Sequence, residues 1–124
     1  MKILLLIAHG SRRSAANDEI HQLAAALATR DTGCDAVRAA FLEMAAPTIP
    51  AAIAAAVAEG ADELLLLPYF LANGRHVGRD IPESVAAAID AHPGVEIRLA
   101  EHLGARAALL DLLADEVRRD AAAD

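Results

Sequence analysis

The chain has 124 residues, enough for one domain with a core of its own. Its 11 Lys and Arg against 18 Asp and Glu leave a net charge of −7, and aromatics make up 2% with no Trp. This argues against a general nucleic-acid binder, which needs a positive field and stacking platforms. One cysteine, Cys34, allows no intrachain disulfide, and no apolar run reaches the roughly 18 residues of a membrane span.

The first apolar run, Ile3–Ala8, has the look of a short signal core. It is followed by His9-Gly10-Ser11-Arg12-Arg13 and not by a small-residue cleavage site. It reads as a buried strand, and the protein is expected to be cytoplasmic. Three similar runs follow at intervals of about 30 residues: Ala36–Phe41, Glu63–Leu67 and Val95–Ala100. Apolar on both faces and ending in polar or breaker residues, they fit strands of a parallel sheet covered on both sides.

Helical patterns alternate with them. The first carries Ile20, Leu23, Ala24 and Leu27; the second Ile49, Ile53 and Val57 in an alanine background. The third carries Ile81, Val85 and Ile89, and the last Leu110, Leu113 and Val117. Thr48 with Pro50 marks a start for the second helix, and Asp80 with Pro82 and Glu83 marks one for the third, Asp80 as its cap. Gly33, Gly60 and Gly94 fall where left-handed residues after helices are wanted. The chain therefore reads βαβαβαβα, an α/β three-layer sandwich. Residues 1–120 form a single domain and Ala121–Asp124 a frayed tail.

In open α/β sheets, ligands bind beyond the carboxyl ends of the strands. Those ends bring His9, Glu43 and His76 to one edge, and two imidazoles with a carboxylate suit a divalent first-row metal. The alternative is that each is an ordinary hydrogen-bonding group at a strand end. His102 stands at the end of the fourth strand and is a further candidate; His21 reads as a surface residue and His92 as a turn residue. Cys34 reads as a small apolar residue, since no neighbour in sequence would stabilise a thiolate. Arg12, Arg13, Arg75 and Arg79 share the two loops that carry His9 and His76, a pattern suited to an anionic ligand. The Pro68–Arg79 connection is long for a βα loop and holds Tyr69, Phe70 and Leu71, which would either wall a flat ligand's pocket or cap the core.

Several other sites are missing. Ala8 precedes His9 where a histidine phosphatase has arginine, and Leu67-Pro68-Tyr69 lacks the acidic residue of a receiver domain. There is no Gly-x-Gly-x-x-Gly after the first strand, no Walker loop and no Gly-x-Ser-x-Gly elbow.

Together the segments Leu4–Arg12 (LLLIAHGSR), Ala40–Pro50 (AFLEMAAPTIP), Ala58–Leu71 (AEGADELLLLPYFL) and Gly74–Pro82 (GRHVGRDIP) resemble the short, single-domain CbiX/SirB family of sirohydrochlorin chelatases. The resemblance implies a class II chelatase fold with strand order 2-1-3-4. It implies an enzyme that inserts a divalent metal, Co²⁺ before Fe²⁺ or Ni²⁺, into sirohydrochlorin or a close relative, in cobalamin or siroheme biosynthesis. The metal is then a substrate, and no nucleotide or redox cofactor is needed. His9, His76 and Glu43 would be metal-binding and catalytic, and Ser11, Arg12, Arg13, Tyr69, Phe70, Arg75 and Arg79 would bind the polycarboxylate tetrapyrrole. A homodimer is implied, with neither nucleic acid nor membrane as partner. One departure stands at Glu101-His102-Leu103-Gly104, where the family pattern has Pro-Leu-Gly. A non-catalytic metal carrier or sensor using the same histidines is the alternative function.

Overall fold

A computed structural model describes residues 1–123. The apolar run at the N-terminus forms β1 (Lys2–Ala8), the centre of a parallel sheet with β2 (Ala36–Phe41), β3 (Glu63–Pro68) and β4 (Glu96–Leu99) in the order β2-β1-β3-β4. Between them lie α1 (Ser14–Ala28), α2 (Ile49–Ala58) and α3 (Ile81–Ala91), and α4 (Ala107–Ala123) follows. The alternation and the strand order expected from the sequence are both found.

The pleat of β1 splits the core in two. Ile3, Leu5 and Ile7 face Ile49, Ile53 and Ala56 of α2 and Ile81, Val85 and Ala88 of α3. Leu4, Leu6 and Ala8 face the opposite layer with Val37, Phe41 and Ala24 of α1. Because both faces are buried, β1 needs an unbroken apolar run rather than an alternating one. Right-handed crossovers explain the division of the helices. The step from β1 to β2 runs one way across the sheet and puts α1 on one face. The steps to β3 and β4 run the other way and put α2 and α3 on the other.

The helix ends follow local chemistry in part. The Thr48 hydroxyl accepts from the Ala51 amide at 3.3 Å, with Pro50 in the first turn of α2. Gly60 follows the C-cap Glu59 with φ +105°, as a left-handed terminator should. Gly33 instead takes φ +76° in the turn before β2, well past the C-cap Thr29, and Gly94 takes no positive φ.

One capping expectation is corrected, and two apolar helix stripes prove exposed. Asp80 does not cap α3: its backbone is helical (φ −66°, ψ −42°) and its side chain bonds no cap amide. A π-turn over His76–Asp80 runs directly into α3, and the Ile81 amide already donates to the His76 carbonyl. Ile89 is 46% exposed, because Ala88 takes the inner position. Leu110, Leu113 and Val117 are 70, 54 and 71% exposed. Between Ala107 and Ala121, only Leu109 and Ala114 are even half-buried, so the apolar stripe of α4 is largely exposed among the described residues. Helix also continues through Ala121–Ala123, which were expected to fray; Asp124 lies outside the described residues. No helix among the described residues is long and apolar enough to cross a membrane.

Leu66→Ala, at a fully buried site, should cost about 2–5 kcal/mol of unfolding free energy. Ile89→Ala should cost under about 1 kcal/mol, since half its side chain already meets water. Urea denaturation followed by circular dichroism measures both.

Candidate metal centre

Parallel strands in register end together. Ile7 pairs with Ala40 on β2 and with Pro68 on β3, so three strands reach one edge at the same level. The ladder continues past their ends: Leu42 N–H donates to the Ala8 carbonyl at 3.0 Å, Glu43 N–H to His9 at 3.1 Å, and Tyr69 N–H to Ile7 at 2.8 Å. These bonds carry the Glu43 loop across the end of β1. Gly10 makes that crossing possible. Its φ is +95°, and a Cβ built there would lie 1.7 Å from the Glu43 carbonyl oxygen. Only a residue without a side chain fits.

His9, Glu43 and His76 converge at this edge, with one ligand atom from each within 4.8 Å of the others. His9 Nε2 is 3.0 Å from Glu43 Oε1 and 3.3 Å from His76 Nε2. The far ring nitrogens are engaged elsewhere: His9 Nδ1 lies 3.1 Å from the Gly10 carbonyl and His76 Nδ1 2.8 Å from Asp80 Oδ2. Both partners are acceptors: the Asp80 carboxylate favours a proton on His76 Nδ1, whereas His9 meets an acceptor at each ring nitrogen, the Gly10 carbonyl and Glu43 Oε1. With Nδ1–H on His76, its Nε2 lone pair faces His9 Nε2, which can carry a proton toward Glu43 Oε1 or present a lone pair to an ion. A cation standing among the three could be held by both nitrogens and the carboxylate oxygen in place of those contacts. Two nitrogens bound at about 2.1 Å to one tetrahedral ion stand about 3.4 Å apart, close to the observed separation. The three side chains keep 44, 47 and 40% of their surface exposed, so a bound ion would remain open to a second ligand.

The surrounding candidates divide. Arg12, Arg13 and Arg75 are exposed and have no carboxylate within 4.0 Å among the described residues. Arg79 instead turns its Nε to Glu83 Oε1 at 3.3 Å, one helical turn along. The Ser11 hydroxyl accepts from the Arg13 amide at 3.0 Å. Tyr69 is 43% exposed and Leu71 70%, whereas Phe70 packs on the α2–α3 side of the core. His102 is half-buried, precedes a short 3₁₀ turn at Leu103–Ala105, and lies outside the triad. Exposed His21 sets its ring edge on Phe41, and Cys34 packs at the margin of the α1-side core. A groove of about 600 Å³ between α2 and α3 starts at Glu43 and His76, passes Asp80 and Glu83, and reaches His92.

Three positioning features escaped sequence reasoning. Asn17 braces the His9 loop, accepting from the Ser11 amide at 2.9 Å and donating to the Ser11 carbonyl at 2.7 Å. Gly104 lies against the 69–72 loop: its amide donates to Phe70 at 3.0 Å, and a Cβ there would strike the Leu71 carbonyl. Asp80 holds His76; the His-x-x-x-Asp spacing was the available signal.

A parallel α/β sheet with a His₂Glu cluster beyond its strand ends defines an α/β domain with a group that could hold a metal ion at its carboxyl edge. The chain belongs to the CbiX family, whose model matches residues 3–120. It is 31% identical over 115 residues to the chloroplastic sirohydrochlorin ferrochelatase of Arabidopsis thaliana, covering 93% of this chain and 51% of that one. It is 36% identical over 83 residues to the sirohydrochlorin cobaltochelatase of Methanococcus aeolicus, covering 67% of this chain and 57% of that one. Matching thus spans little more than half the length of these curated relatives. The crystal structure of a CbiX protein from Marinobacter aquaeolei VT8 superposes over the full length of both chains, with TM-score 0.81 and 27% identity.

Gly10→Ala should displace the Glu43 loop, cost at least about 1–3 kcal/mol of stability, and weaken Co²⁺ binding. Chemical denaturation and calorimetric titration with Co²⁺ check the two effects separately.

Proposed function

We propose that this chain inserts a divalent first-row metal, Co²⁺ before Fe²⁺ or Ni²⁺, into sirohydrochlorin or a closely related tetrapyrrole. The observation that carries this is the convergence of His9, His76 and Glu43, with one ligand atom from each within 4.8 Å of the others. A chelatase must hold a metal and then release it to pyrrole nitrogens. Neutral imidazoles and one carboxylate suit that exchange better than thiolates would. The name of the 36% identical cobaltochelatase supports the order of metals, and that of the plant ferrochelatase supports keeping Fe²⁺ as an alternative.

Balance requires that one M²⁺ enter the macrocycle as two pyrrole protons leave. As the metal departs, the lone pairs of His9, His76 and Glu43 are freed beside the leaving protons, and one imidazole with Glu43 accepts them. Arg12, Arg13 and Arg75 face solvent on the same edge and can grip the substrate's carboxylates bidentately. Arg79 already has a partner in Glu83, so it contributes less. The groove carries Glu43, Asp80 and Glu83, an environment that favours the metal and disfavours a polyanion. The two reactants therefore meet at the triad from different sides.

A homodimer belongs to the same proposal. The crossovers leave the α1 face uncovered over β3 and β4, where Leu65 and Leu67 are half-buried and Arg98 is exposed. The stripe of α4 has no cover either. Each surface is of the kind the other lacks, and a second copy of this chain would let α4 of one protomer cover the open sheet of its partner.

His9→Ala and His76→Ala should each lower the rate of Co²⁺ insertion into sirohydrochlorin, read from the visible spectrum, by at least 100-fold. The circular dichroism spectrum should be unchanged. Full activity in the double variant would remove the assignment, and tight Co²⁺ binding without any insertion would indicate a carrier. Leu113→Asp with Val117→Asp should turn a dimer into a monomer in light scattering; a monomeric wild-type chain would refute the dimer.

A further inference from the structure

The carboxylate of Asp80 does no work for the helix it precedes. The π-turn has already used the Ile81 amide, and Pro82 has no N–H to offer. Instead, Asp80 Oδ2 sits 2.8 Å from His76 Nδ1. His9 has only the neutral Gly10 carbonyl in the matching place, at the longer distance of 3.1 Å. Bonds to a charged acceptor are shorter and roughly twice as strong as neutral ones. The two imidazoles of the triad are therefore held unequally, and the difference lies in a residue outside it.

We infer that Asp80 is a positioning residue that fixes His76 in the Nδ1–H tautomer and holds its Nε2 lone pair toward the incoming divalent ion. The role rests on the metal-binding reading of the triad. In the other tautomer, Nε2 would carry the proton and His76 could not ligate through it. A bond at Nδ1 also stops the ring from turning away about its side-chain torsions. Such outer carboxylates typically account for about 10–100-fold in metal affinity. The π-turn is what brings the two side chains together, by delivering Asp80 with helical backbone and an unoccupied carboxylate.

The test uses the full chain labelled with ¹⁵N, with Co²⁺ alone as the probe. Long-range ¹H–¹⁵N spectra of the metal-free wild type should show His76 protonated at Nδ1 and bare at Nε2. Asp80→Ala should populate the Nε2–H tautomer and raise the Co²⁺ Kd by about 10–100-fold, with an unchanged circular dichroism spectrum. Asp80→Asn retains an oxygen that accepts from Nδ1–H, so it should keep the tautomer and recover most of the affinity. Asp90→Asn removes an exposed charge from α3 and should leave the Kd within twofold. A wild-type His76 carrying its proton on Nε2, or Asp80→Ala binding Co²⁺ within twofold of wild type, would overturn the inference. If Asp80→Ala fails to fold, the wild-type tautomer and the Asp80→Asn affinity decide. A wild-type chain that shows the expected tautomer yet binds no Co²⁺ would instead overturn the metal-site reading.

Discussion

Three potential ligand atoms point at one another in this protein, and the far nitrogen of one histidine, His76, is tied to a carboxylate outside the cluster. His9 Nε2, His76 Nε2 and Glu43 Oε1 come from three different strand ends, and the nitrogens stand 3.3 Å apart. Such an arrangement gathers two imidazoles and a carboxylate that a divalent cation could share. Much of the fold can be read as what holds it in place. The in-register ends of β1, β2 and β3 set the level, and Gly10 lets one backbone cross another. Asn17 braces the first loop, and the π-turn presents the second histidine. Core packing beneath the edge makes these positions stiff. Ile7, Phe41 and Pro68, at or next to the ends of the three strands, are all fully buried.

Charge is sorted over the same edge. The chain carries −7, yet the guanidiniums of Arg12, Arg13 and Arg75 have no close acidic partner among the described residues. Surface ion pairs contribute little to stability, about 0–1 kcal/mol each, so leaving these arginines unpaired costs the fold little. It leaves their planar donor forks open to carboxylates in solution. The carboxylates that might have paired with them line the groove between α2 and α3 instead.

Most of the architecture was legible because burial on both faces demands unbroken apolar runs, and β1 is buried from Ile3 to Ala8. The histidines were legible because a parallel sheet concentrates chemistry at its carboxyl edge. What escaped depended on neighbours distant in the chain. Periodicity shows which side of a helix is apolar, but not whether anything lies against it; Ile89, Leu113 and Val117 continue the apolar stripes of their helices and yet lie exposed. Asp80 before Ile81-Pro82 has the composition of a capping box. Nothing local distinguishes a cap from a π-turn, in which the backbone needs no cap and the carboxylate is left for His76. Arg79 looked like its loop neighbours until α3 placed Glu83 one turn away.

A metal that is substrate imposes a different demand from a metal that is structural. A closed tetrahedral site of thiolates would hold the ion at a depth from which transfer is slow. Here the three side chains are 40–47% exposed, and only one of the two imidazoles is backed by a carboxylate. His76 is anchored through Asp80 to a helix packed on the core by Ile81 and Val85. His9 stands on a glycine turn and leans on a neutral carbonyl. An ion bound between them would have one ligand held in orientation and one freer to yield. On the chelatase reading, replacement of ligands by an approaching macrocycle would begin at His9 and end at His76.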